Sequence, residues 1–116
     1  MNTVTLSIGG REKINSRALA ALGGEQQGAH ITFESLDVLW STMTKKRWEL
    51  LQAMCGQGGL TYRRLAELVG RDVKAVHTDV GALILAGLVE KSADGGIVFP
   101  YDRIHVDFWM QTPSAA

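Results

Sequence analysis

The sequence predicts an α+β fold, a winged helix-turn-helix with additional N- and C-terminal strands forming a dimerisation element. Three observations carry that prediction. Residues 61–86 hold two short amphipathic segments joined by Gly70-Arg71-Asp72, the spacing of a helix-turn-helix. Residues 87–100 follow at once with two strand-like runs around Ala93-Asp94-Gly95-Gly96, a hairpin signal. Outside both units, residues 3–8, 30–33 and 104–110 read as further strands.

Taken in order, Val4, Leu6 and Ile8 alternate with Thr3, Thr5 and Ser7, the period of a half-buried strand that Gly9-Gly10 ends. Residues 11–22 place Ile14, Ala18, Leu19 and Leu22 near helical spacing, and the glycine-rich stretch 22–28 reads as a loop or hinge. His30-Ile31-Thr32-Phe33 is a short strand. Ser35 and Thr44 each offer a hydroxyl to free first-turn amides, which predicts helices over 36–43 and 45–55. In the second of these Trp48, Leu51 and Cys55 share a face, with Leu50 and Met54 beside it. The next helix follows Thr61, buries Leu65, Leu68 and Val69, and ends at Gly70, which supplies a left-handed turn. Asp72 caps the following helix, where Val73, Val76, Val80, Leu83 and Ile84 form an apolar stripe that Gly87 terminates. The last strand alternates Ile104, Val106, Phe108 and Met110 with His105, Asp107 and Trp109, which leaves Trp109 on the face away from the core. The chain thus divides into an N-terminal strand-helix-strand extension over 1–34, a winged helix-turn-helix unit over 35–111 and a tail over 112–116.

Composition narrows the function classes. The chain has 116 residues, 12 basic and 12 acidic, and a formal net charge of zero. That counts against a non-specific nucleic-acid coat and leaves room for a sequence reader with a local basic patch. No apolar run suits a membrane span, no signal peptide is evident, and the single cysteine, Cys55, excludes an internal disulfide framework. A cytoplasmic protein without membrane contact is the expectation.

Projected at about 100° per residue, the 73–86 helix turns Lys74, Thr78 and Ala82 away from the apolar stripe, with Ala75 and Gly81 flanking. Lysine and hydroxyl near a helix start suit phosphate or base-edge contacts, and the small residues permit close approach to a groove. His77 lies on the flank, toward the partner helix or a phosphate. Arg71, just before the helix, and Arg63 and Arg64 on the preceding helix are placed to reach phosphates beside the groove. Lys45, Lys46 and Arg47 form a second basic cluster at a helix start, where the helix dipole disfavours them. The candidate DNA-binding residues are therefore Lys45, Lys46, Arg63, Arg64, Arg71, Lys74, Ala75, His77 and Thr78. The same pattern also occurs in protein-binding modules, in which these cations are solvated helix faces.

Five stretches carry a resemblance to a known family: Lys46-Arg47-Trp48-Glu49-Leu50-Leu51, residues 65–71, Val73-Lys74-Ala75-Val76-His77, residues 82–90 and Pro100-Tyr101-Asp102-Arg103-Ile104. In that order they resemble the MarR/ArsR-like winged-helix transcriptional regulators, and more closely a group of small prokaryotic regulators of this kind. The resemblance implies a homodimer on double-stranded operator DNA, with the 72–86 helix as reader. It also implies an alternative: an antitoxin that holds a partner toxin protein and represses its own operon. The hairpin tip carries Asp94 and no arginine, a departure that disfavours a strong minor-groove contact there.

Chemistry is thin elsewhere. His30, His77, His105 and Cys55 are too scattered to predict a metal sensor, and Cys55 reads as a small core residue. Gly56-Gln57-Gly58-Gly59 lacks the ending of a phosphate loop, and no nucleophile motif picks out a serine. The reading is a dimeric repressor that is not an enzyme and has no cofactor. Val4, Leu6 and Ile8 suit one sheet face together with Ile104, Val106, Phe108 and Met110, with Trp109 on the other face and the 11–22 helix packed across, and these surplus terminal strands supply the dimer contact.

Overall fold

The computed structural model describes residues 2–9 and 29–109. The helix expected over 11–22 and the tail over 112–116 lie outside them. The protein is α+β, with four helices and two small sheets among the described residues. Strand β1 (Thr3–Ile8) lies at the centre of a three-stranded sheet, between β2 (Ala29–Phe33) and β5 (Arg103–Asp107), and runs parallel to both. Val4 pairs with Ala29 on one side and Ile104 on the other, and Leu6 with Ile31 and Val106. Parallel neighbours cannot be joined by a tight hairpin, so everything from residue 34 to 102 is one long excursion from β2 to β5.

That excursion begins with four helices, each started by the residue type that satisfies its free amides. Ser35 caps α1 (Leu36–Thr42), Thr44 caps α2 (Lys45–Met54), Thr61 caps α3 (Tyr62–Val69), and Asp72 caps α4 (Val73–Leu85). In the first three the hydroxyl accepts the N–H of the third residue on; Asp72 accepts from both Lys74 and Ala75. Gly70 closes α3 at φ +66°, a left-handed turn whose N–H returns to the Ala66 and Glu67 carbonyls. The chain thereby reverses into α4 within three residues.

The apolar faces converge on one core. Val4 and Leu6 from β1, Leu39 and Met43, Leu50, Leu51 and Met54, Leu65, and Val76, Val80 and Leu83 are all buried in it. Two residues expected inside lie outside: Leu68 is 42% exposed and Val73 39% exposed. Leu68 sits three residues beyond Leu65, but Ala66 takes the place against the core in this short helix. Val73 is the first residue of α4, before the stripe reaches the core.

After α4 comes a short hairpin. Strands β3 (Glu90–Lys91) and β4 (Ile97–Val98) are antiparallel and two residues long, shorter than the runs 88–92 and 97–99 suggest. Their sheet is widened by a bridge the periodicity did not disclose, Leu60 to Ile97, with both N–H···O bonds at 2.8 Å. Asp94 shapes the turn, accepting from Ser92 Oγ and the Gly96 N–H, while Gly95 adopts φ +89°. The last strand is also shorter than expected; it ends at Asp107, short of Met110. Asn2 anchors the approach to it: its N–H donates to Asp102 Oδ2 (2.8 Å) and its Nδ2 to the Pro100 carbonyl (2.7 Å). No helix among the described residues is long and apolar enough to cross a membrane.

The Leu60 bridge explains why position 96 is glycine. A Cβ there would stand 2.7 Å from the Leu60 carbonyl oxygen, which is backbone and cannot yield. Gly96→Ala is expected to lower stability by about 1–3 kcal/mol in urea unfolding. Gly81→Ala, in the interior of α4 with open space around the new Cβ, is expected to raise it by roughly 0.5–1 kcal/mol. Equal effects at the two positions would refute this account.

Candidate nucleic-acid interface

The α3–turn–α4 unit carries the surface in question. Lys74, His77 and Thr78 are exposed on α4, Ala75 is half-buried, and Arg63 and Arg64 are exposed on α3. Lys45 and Lys46 are exposed at the start of α2. Thr78 Oγ1 donates back to the Lys74 carbonyl at 3.3 Å, leaving its oxygen free to accept. Arg64 pairs with Glu67 at 3.3 Å, but both side chains are largely solvated, so the pair is weak. Among the described residues Lys45, Lys46, Arg63 and Lys74 make no ion pair.

Arg71 departs from expectation. It does not extend toward solvent; it is held in a cluster with Asp79 and Arg47. Asp79 Oδ2 accepts from Arg71 Nη2 at 2.8 Å, and Asp79 Oδ1 from Arg47 Nε at 3.0 Å. Arg47 Nη1 also donates to the Thr42 carbonyl at 2.8 Å. The three side chains are only 15–19% exposed. One further Arg71 donor, Nη1, is buried without a partner among the described residues. Arg71 is a brace and leaves the phosphate-contact set, and Arg47 leaves the basic cluster for the same reason. The brace joins the α3–α4 turn, the middle of α4 and the first turn of α2, the turn that also carries the exposed Lys45 and Lys46.

Asp79 is the residue the sequence reading missed. A lone acid on the flank of a helix whose other charged residue is Lys74, with arginines before the helix and on a neighbour, is the signal that marks it. Burial by itself pushes its carboxyl upward, but the hydrogen bonds and charges of Arg71 and Arg47 outweigh that and hold it below the usual carboxylate range. His77 found a different partner: its ring stacks on Tyr62 at the start of α3, centroids 3.6 Å apart and planes 8° from parallel. This stack ties the first turn of α3 to α4 from the other side.

At the hairpin, the Ser92 hydroxyl and the Gly96 N–H hold the Asp94 carboxyl below its ordinary range. The tip is anionic at neutral pH and poorly suited to a phosphate or a minor groove. No group of three or more His, Cys, Asp or Glu among the described residues is placed to hold a metal ion.

Residues 42–106 match the HVO_A0114 family; they make up more than half of the chain, which belongs to that family. No curated protein and no solved structure matches it.

The brace has a calculable consequence. Asp79→Ala leaves two half-buried guanidinium groups without a counter-charge, and the expected loss is about 2–4 kcal/mol. The sign with pH follows from the lowered carboxyl: its contribution is present above the unfolded value, about 3.9, and is lost as pH falls through the folded value. Urea unfolding of the native chain should therefore weaken below about pH 4, and Asp79→Asn should flatten that part of the profile. A native-like acid profile in Asp79→Asn would refute the role given to this carboxylate.

Proposed function

We propose that the protein is a sequence-specific DNA-binding regulator of the winged helix-turn-helix type, acting as a pair of copies, with α4 as the helix that enters the major groove. The observation that carries this reading is the separation of charge on α4. Its acids are both engaged, Asp79 by Arg47 and Arg71 and Asp72 by the first-turn amides. Its lysine stands free on the outward side with the Thr78 hydroxyl one turn on. A helix arranged this way offers a cation and a hydroxyl acceptor to a groove and presents no unpaired carboxylate beside them.

The arrangement of elements supports the same reading. A left-handed glycine turn sets α3 against α4, and an antiparallel hairpin bridged by Leu60 follows, which is the element order of a winged helix. Arg63 on α3 and Lys45 and Lys46 on α2 suit the backbone contacts made beside a reader helix. The acidic hairpin tip leaves α4 as the main source of specificity.

The test is binding to the DNA upstream of the protein's own gene, measured by fluorescence anisotropy against a shuffled duplex over a range of salt. Lys74→Ala should cost about 1–3 kcal/mol if the side chain meets bases, with unchanged urea unfolding. Each of Lys45, Lys46 and Arg63, when replaced by alanine, should reduce the log–log salt slope by roughly 0.9. Equal affinity for the two duplexes, with a slope that none of these variants alters, would overturn the proposal.

A further inference from the structure

Strand β5 is an open edge. Among the described residues no strand pairs with its outer side. Arg103, His105, Val106 and Asp107 are exposed, and Ile104 is half-buried. An unpaired edge is a template for another strand. The opposite edge, β2, is less available: Phe33 is buried, Ile31 reaches toward Gly87, and the strand carries no charged pair.

We propose that β5 pairs antiparallel with β5 of a second copy of this chain, in the register centred on His105, so that two three-stranded sheets join into one. This deepens the reading above by supplying the contact for its pair of copies. Charge complementarity selects the occupant and the register. About His105, Arg103 of one copy faces Asp107 of the other, twice by symmetry, and Ile104 faces Val106, also twice. Opposite charges and apolar pairs directly across an antiparallel ladder are favourable, and like charges are not. Neither Arg103 nor Asp107 has an ion-pair partner among the described residues. Arg103 Nε donates to Thr3 Oγ1 at 2.8 Å, which anchors the side chain on its own sheet face.

The backbone agrees with this register. Strand N–H and C=O groups point alternately to either side. Pairing 103 with 107 and 104 with 106 keeps that alternation in phase, so outward groups meet outward groups. A slip of two residues sets Arg103 or Asp107 against His105 and leaves charges unmatched. A slip of one sets outward backbone against inward. Ile104 and Val106 lie on the face of β1 that carries Val4 and Leu6, so the join extends the sheet's apolar face across the two-fold axis and covers Val106. The contact is isologous, as a closed dimer requires.

The experiment uses the full chain without DNA. Sedimentation velocity at micromolar concentration should give a dimer. Arg103→Asp and Asp107→Arg should each weaken association by about tenfold, and the double reversal should restore it, with urea unfolding confirming that each variant folds. Independently, His105→Cys in a Cys55→Ser background should cross-link to a covalent dimer under mild oxidation, since paired residues on the axis stand about 4.5–5.5 Å apart, within disulfide reach. Arg103→Cys in the same background should not. A monomeric native chain overturns the proposal. So does a dimer in which the double reversal fails to recover association, or in which His105→Cys does not cross-link. Because these readouts need no DNA, their failure is distinct from a failure to bind the operator.

Discussion

The bidentate use of Asp79 is the interaction on which the arrangement of the helices depends. One carboxylate draws in an arginine from the α3–α4 turn and another from the first turn of α2, at 2.8 and 3.0 Å. Close packing of the apolar core restricts how the helices sit together, but hydrophobic burial itself is non-directional and singles out no orientation for a polar group at its margin. A carboxylate with two guanidinium partners does single one out. Replacing such a cluster with apolar residues often costs nothing in net stability, so its worth lies in fixing which way α4 faces. With Asp79 turned toward Arg47, Lys74 and Thr78 are turned outward.

The sheet imposes a second constraint. A central strand with two parallel neighbours forces the chain to leave and return in the same direction, and here the return passes through all four described helices and the hairpin. Val4 and Leu6 are therefore in the same core as Val76, Val80 and Leu83, although the residues are distant in sequence. Burial of this sheet on the helical layer makes the N-terminal strand part of the framework that supports α4. It also leaves β5, the last strand to arrive, at the margin.

Local features were legible in the sequence because they rest on local chemistry. Ser35, Thr44, Thr61 and Asp72 mark helix starts through bonds spanning two or three residues, and Gly70 marks a turn that only a residue without a Cβ adopts at little cost. Pairings between distant segments were legible only in part: the alternation of the two terminal strands suits one shared sheet face, and Val4 does lie beside Ile104 and Leu6 beside Val106. Alternation identified β1 and β5 as strands but says nothing of parallel or antiparallel, and Leu60 has no strand pattern around it to announce its bridge to Ile97. In the candidate site, Lys74 and Thr78 are where a helical projection places them. Arg71, expected from its position just before the helix to reach a phosphate, is instead drawn inward by a carboxylate two turns along α4, a partner that its place in the chain does not announce. His77 was placed on the correct flank, but its stacking partner Tyr62 lies on the preceding helix, beyond the reach of a single-helix projection.

Net charge conceals the distribution that matters. With 12 basic and 12 acidic residues the chain has no overall attraction for a polyanion. Screening at physiological salt, however, limits exposed charges to a range of about 8 Å, so a ligand responds to the charges on the face it meets. Asp79 of α4 lies inward, Asp72 at its start is held by backbone amides and the exposed Glu67 of α3 faces Arg64, while among the described residues Lys74, Arg63, Lys45 and Lys46 make no ion pair. At the hairpin tip the balance is reversed by Asp94. The same economy holds at β5, where Arg103 and Asp107 sit four residues apart on one strand and cancel in any sum over the chain, yet match their opposites when the strand meets its own image. In both places neutrality is a property of the whole chain, while the individual charges are held at separate positions on its surface.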